Sequence, residues 1–226
     1  EGLVAVVFSP MATGKSMLMI GIIAFEVSQD PNLLHHLICA TDAPAKKRGM
    51  TLQNLLTSPH YRKVNPHIKP NMQRWSNHEL LIQRAQAERG GILTRDSKGD
   101  SGAIDPTITC LGITGGILGS RAGRTNVDDI ATYINAILRP KEGEDIHDIL
   151  KTQCFSRKKS PLGISEKAYD KKHDPWRARV IGTPWAMQDC IYSLRVWDLA
   201  ATILIGVNQE VTAYNVQVWG LPDKYI

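Results

Sequence analysis

Leu3 to Phe8 (LVAVVF) is an unbroken apolar run, the pattern of a strand buried on both faces in a parallel sheet. A short polar loop separates it from Ser16 to Val27 (SMLMIGIIAFEV), which predicts a helix that is apolar nearly all round and therefore buried. Pro31 cannot continue that helix. Leu37 to Thr41 predicts a second buried strand, and Ala45 to Leu56 a helix of mixed charge that Ser58-Pro59 closes. Tyr61 to Ser76 is basic and interrupted by proline, and is expected to be a surface connection. Glu79 to Ile82 predicts a short strand, and Gly90 to Asp105 a mobile loop or hairpin tip.

The β-branched segment Thr107 to Ile113 predicts another strand, and Gly115-Gly116 with Gly119 to Gly123 a flexible connection. Asn126 to Ile130 ends a weaker strand, because Arg124, Thr125 and Asn126 are polar where an apolar run is expected. Gly143 to Phe155 predicts a helix, Ser156 to Trp176 a second basic connection, Ala178 to Thr183 a strong strand, and Met187 to Leu194 a short helix. Ile203 to Val207 and Val211 to Val218 predict two strands joined at Asn208-Gln209. Alternating strands and helices imply an α/β fold with a mainly parallel central sheet flanked by helices. A chain of 226 residues holds one large domain, or one domain and part of another.

Composition narrows this little. Hydrophobic residues make up 42% and charged residues 22%, which excludes wholesale disorder. The net charge of +5 suits a polyanionic partner without requiring one. Cys39, Cys110, Cys154 and Cys190 are widely spaced with no C-x-x-C pair, so they are expected to be reduced, buried thiols and not a zinc site. Glu1-Gly2-Leu3 has no basic leader character, and the apolar stretch Met17 to Phe25 stops at Glu26, too short to span a bilayer. The expectation is a soluble intracellular protein with no membrane partner.

The chemistry concentrates between the first strand and the first helix. Ser9-Pro10-Met11-Ala12-Thr13-Gly14-Lys15-Ser16 fits the phosphate-loop pattern G-x-x-x-x-G-K-[ST], with Ser9 in place of the first glycine. A tight loop running into a helix N-terminus turns backbone N–H groups and a favourable dipole toward a phosphate chain. Ser9, Ala12, Thr13, Gly14, Lys15 and Ser16 are the expected nucleotide contacts. Lys15 would reach the β- and γ-phosphates of ATP, and the Ser16 hydroxyl would bind Mg²⁺. Such a loop needs acids at a neighbouring strand end. Asp128-Asp129 is the adjacent acidic pair that follows a strand, with Asp128 expected on the metal and Asp129 on the attacking water; the same pair also suits a helix cap or surface turn. Thr183, after the strand Val180-Ile181-Gly182, suits a sensor beside the γ-phosphate, or an ordinary turn. Arg121 and Arg124 suit transition-state or DNA phosphate contacts, or a solvated loop.

Three elements then stand in a fixed order: the loop S-P-M-A-T-G-K-S, the segment Gly112 to Ile130 (GITGGILGSRAGRTNVDDI), and Ile181 to Asp189 (IGTPWAMQD). Together they resemble the ATPase region of tailed-phage large terminase subunits, over roughly Leu3 to Leu194. The resemblance implies an ATP-hydrolysing, Mg²⁺-dependent motor that drives double-stranded DNA into a procapsid. It also implies a portal protein and a small terminase subunit as partners, a ring of copies on the portal, and the bacterial host cytoplasm as the setting. Asp129, Arg121 and Thr183 take the catalytic places. Arg195 to Ala200 (RVWDLA) resembles the opening strand of the family's RNase H-like nuclease, in which Asp198 would bind metal. The resemblance thus divides the chain into an ATPase domain, 1–194, and the beginning of a truncated RNase H-like nuclease domain, 195–226. Two other readings stand beside it: a nucleotide-binding but inactive terminase-like module, and another nucleic-acid-dependent P-loop ATPase.

Overall fold

The computed structural model describes residues 3–31, 33–83, 105–115, 122–155, 176–185, 189–190, 200–207 and 214–219. Among the described residues nine strands form one sheet: β1 (Leu3–Phe8), β2 (His35–Cys39), β3 (Pro70–Trp75), β4 (Glu79–Ile82), β5 (Ile108–Gly112), β6 (Arg124–Asp128), β7 (Trp176–Gly182), β8 (Ala200–Val207) and β9 (Tyr214–Trp219). Their order across the sheet is β3-β4-β5-β2-β6-β7-β1-β8-β9. The six strands from β5 to β8 run parallel, while β3, β4 and β9 join by antiparallel pairing at the two edges. The helices are α1 (Lys15–Gln29), α2 (Asp42–Thr57), α3 (Pro59–Val64) and α4 (Pro140–Ile149), with π-helical turns at Ile134–Leu138 and Leu150–Phe155.

Side chains alternate across a strand, so each inner strand feeds two cores. On one face Val4, Val6 and Phe8 of β1, Val127 of β6 and Val180 of β7 pack with Leu150 and with Ile146 and Ile149 of α4. On the other, Leu37 and Cys39 of β2 and Ile181 of β7 pack with Ile20 and Ile23 of α1 and Leu52 and Leu56 of α2. The sheet is therefore covered on both sides, which is what the apolar runs require. The four cysteines are free and buried, and no described helix is long and apolar enough to cross a membrane.

Several elements differ from the sequence expectation for identifiable reasons. Helix α1 is not buried all round: Met17, Leu18 and Phe25 are more than half exposed, while Met19, Ile20, Ile23 and Val27 face the core. Tyr61 to Ser76 is not a plain surface connection, since it holds the end of α3 and all of β3. Ser58-Pro59 closes α2 and at once opens α3; the Ser58 hydroxyl accepts from Tyr61 N at 3.2 Å, and Pro59 starts the new helix. Strand β6 is fully buried despite its polar sequence. Arg124 and Arg179 both face Glu26 on α1, and the Asn126 amide donates to His36 O at 3.1 Å.

The expected domain boundary between 194 and 195 lies outside the described residues. β8 lies parallel beside β1, and β9 antiparallel beside β8. The expected loop at Gly90 to Asp105, the connection at Ser156 to Trp176 and the helix at Met187 to Leu194 fall wholly or largely outside the described residues.

Candidate functional site: a lysine-centred junction at three strand ends

Sheet register builds the site. Phe8 on β1 is level with Gly182 on β7, and Ile181 on β7 is level with Asp128 on β6. The next residues, Ser9, Thr183 and Asp129, therefore emerge together at the carboxyl edge of three adjacent parallel strands. That edge is where open α/β sheets take ligands.

The loop after β1 is tied from within. Ser9 N donates to Gly182 O at 3.1 Å, the Ser9 and Thr13 hydroxyls meet at 2.5 Å, and Thr13 Oγ1 donates to Pro10 O at 2.8 Å. Gly14, the residue before α1, has φ 78°, in the left-handed region that glycine enters without steric penalty. Ala12 adopts φ 61° and Asp129 φ 48°. For such residues the left-handed conformation costs about 1–2 kcal/mol, so the surrounding bonds hold both in place. Gly14 has no side chain to cap α1, and no acidic residue stands in its first turn, which leaves the helix start suited to an external anion.

Lys15 crosses to the other two strand ends. Its Nζ, on a buried side chain, donates to Thr183 Oγ1 at 2.7 Å and lies 3.3 Å from Asp129 Oδ1. Thr183 Oγ1 donates in turn to Ser9 O at 3.1 Å. Burial pushes the Asp129 carboxyl above the ordinary aspartate value, against the pull of Lys15, and the Asp128 charge adds to the rise.

One residue later Ser16 Oγ donates to Asp128 Oδ1 at 3.0 Å. Asp128 is 1% exposed, and its other oxygen accepts from Arg48 Nε at 2.8 Å. Arg48 also reaches Ser16 Oγ through Nη2 at 2.9 Å. Burial works against the charge on Arg48, but the hydrogen bond and charge of Asp128 outweigh it and raise its pKa further.

Ser16 Oγ and Asp128 Oδ1 are the oxygens here that could hold a small divalent cation. No group of three or more His, Cys, Asp or Glu residues able to hold a metal occurs among the described residues. One hydroxyl and one carboxylate suit an ion that takes its remaining ligands from phosphate and water.

Nine residues singled out by sequence thus meet here: Ser9, Ala12, Thr13, Gly14, Lys15, Ser16, Asp128, Asp129 and Thr183. Arg121 and Asp198 lie outside the described residues. Arg124 is not at the junction; it is 1% exposed at the start of β6, with Nε 3.4 Å from Glu26, and cannot touch DNA phosphate from there. Arg48 is the residue that sequence reasoning missed. A signal existed: Ala45, Gly49, Leu52 and Leu56 mark the buried stripe of α2, and Arg48 stands three residues from Ala45 and four from Leu52 on that same side.

No family model matches the chain, and no curated protein does. Among solved structures, the chain is similar to an arginine-to-alanine variant of the large terminase ATPase domain of Thermus phage P74-26. The TM-score is 0.45 at 14% identity, over 82% of this chain and 62% of that one. For the large terminase ATPase domain of the same phage the values are 0.40 and 13%, over 87% of this chain and 81% of that one. The chain therefore spans less than two thirds of the first of these neighbours.

Proposed function

We propose that the chain is an ATP-hydrolysing P-loop domain, and that its activity drives double-stranded DNA as the motor of a phage packaging terminase. The observation that carries the ATPase reading is the reach of Lys15, from the start of α1 to Asp129 after β6 and Thr183 after β7. A loop lysine that merely capped a helix would not need partners at two other strand ends. The motor reading rests on the three sequence elements and their order.

In this reading Lys15 gives up Asp129 and Thr183 and turns its charge to the β- and γ-phosphate oxygens. The amides around Gly14 orient the same phosphates along the α1 dipole. Ser16 and Asp128 would hold Mg²⁺, which when bound neutralises phosphate charge. Asp129, released from Lys15, orients the attacking water and accepts its proton; burial has already made it a stronger base than an ordinary aspartate. Thr183 stays bonded to Ser9 O and links β7 to the state of the loop.

The test is Mg²⁺-dependent phosphate release with and without double-stranded DNA. The wild-type chain should hydrolyse ATP, and Lys15→Ala should lose at least about a hundredfold in rate. Undiminished hydrolysis by Lys15→Ala would remove the assignment. A second reading, binding without turnover, is favoured by one observation: Arg48 bonds both proposed metal ligands. Binding of an ATP analogue with no phosphate release, even with DNA present, would select it.

A further inference from the structure

The contacts of Arg48 carry a consequence for how this site is loaded. Its guanidinium bonds Asp128 Oδ2 at 2.8 Å and Ser16 Oγ at 2.9 Å. Ser16 Oγ closes the ring with its own donation to Asp128 Oδ1 at 3.0 Å. The hydroxyl accepts one hydrogen bond and gives one, and the carboxylate accepts on both oxygens. The negative charge of Asp128, on a side chain 1% exposed, is balanced by a cation on the protein itself.

We propose that Arg48 is a resident cation that occupies the divalent-metal position of the nucleotide-free site, so that guanidinium and metal bind Ser16 and Asp128 in mutually exclusive states. The inference rests on the reading of those two residues as metal ligands. The Nη2 bond takes one of the two Ser16 lone pairs and places a guanidinium against the hydroxyl, and two cations on one buried carboxylate repel. Arginine does not lose its proton in proteins, so it vacates the position only by moving. The way out is open, since the Arg48 side chain is 23% exposed at the rim of α2. Arg48 thereby makes metal binding depend on whatever adds ligands beside Ser16, and it links α2 to the loading of the site.

The test uses the full chain without nucleotide and Mn²⁺ as the probe, followed by electron paramagnetic resonance. Arg48→Ala should bind Mn²⁺ at least about tenfold more tightly than wild type, the smallest change expected when one charge-assisted hydrogen bond no longer competes. Adding Asp128→Asn to that variant should abolish the gain. Equal affinities in wild type and Arg48→Ala would overturn the proposal, and so would a gain that survives Asp128→Asn.

Should Arg48→Ala fail to fold, wild-type NMR decides. The Arg48 side-chain Nε–H signal, assigned by its absence in Arg48→Lys, should move to the position of a solvated arginine on addition of Mg²⁺ and ADP. A signal that stays in place while Mg²⁺·ADP binds would refute the exchange. Failure of the nucleotide-site reading shows separately: a fluorescent ATP analogue would then not bind, whereas the Mn²⁺ comparison needs no nucleotide.

Discussion

Glu26 is a carboxylate in the buried half of α1 on which three basic side chains converge. Arg179 grips it with two bonds, of 2.7 and 2.5 Å; Arg124 Nε lies 3.4 Å away and His35 Nδ1 3.9 Å away. Exposure of the Glu26, Arg124 and Arg179 side chains is 11%, 1% and 15%. Glu26→Gln keeps the volume and one acceptor but takes the Glu26 charge away from two guanidinium groups in a largely dry site. Breaking a buried pair from one side costs about 3–5 kcal/mol, a large share of the roughly 5–15 kcal/mol that holds a domain folded. With a urea dependence near 3 kcal/mol per molar, the unfolding midpoint should fall by about 1 M or more. The control is Glu142→Gln, whose partner Arg139 is also an arginine, at 3.0 Å, but with side chains 66% and 50% exposed. That change should stay below about 1 kcal/mol. Urea titrations of both variants decide the matter: a loss below about 1 kcal/mol for Glu26→Gln, or equal losses for the two, would refute the assignment of β6 stability to this cluster.

The same cluster sets an acid limit. Burial draws the His35 pKa down to about 4, with Glu26 opposing and Arg179 and Arg124 adding to the fall. A histidine held neutral by the fold contributes its full stability above its unfolded value near 6.5, and loses it as pH falls toward 4. Unfolding free energy should therefore drop by roughly 3 kcal/mol across that window, and a His35→Gln variant should show a flatter acid limb in urea titrations at stepped pH. Glu26, whose pKa is lowered by its basic partners in spite of burial, should add a further loss only below the ordinary carboxylate range. Gly49→Ala and Gly21→Ala should differ in sign by thermal unfolding. A methyl at Gly49 would sit 1.9 Å from Asn77 O and destabilise by about 1–3 kcal/mol. One at Gly21 meets nothing within 4 Å and should gain about 0.5–1 kcal/mol of helix propensity.

What the sequence revealed follows from which physics leaves a mark in hydropathy. β1, α1 and β7 were legible because their apolar residues face a core, and the Gly-Lys-Ser sequence after β1 marked where α1 starts. β6 was only half legible: Arg124, Thr125 and Asn126 are polar where an apolar run is expected, yet they are buried, and Glu26 and the His36 carbonyl, distant in sequence, supply partners to Arg124 and Asn126. β3 was missed because an edge strand needs little apolar content; of Pro70 to Trp75 only Asn71 is buried. At the site, the residues of the loop and of the two later strand ends were found from motif chemistry. Arg48 was not, because it belongs to no motif and shows only as a charge on a buried helical stripe. The part of the account that sequence alone could not supply is thus the cation already present beside Asp128.

The measurement that bears most directly on the nucleotide site is an amide NMR titration of the chain with Mg²⁺ and the slowly hydrolysed analogue ATPγS. The account predicts saturable binding, with the largest shifts at Ala12 to Ser16, Asp129 and Thr183, and loss of that response in Lys15→Ala. Saturable binding that leaves those amides in place, or an unaltered response in Lys15→Ala, would contradict it.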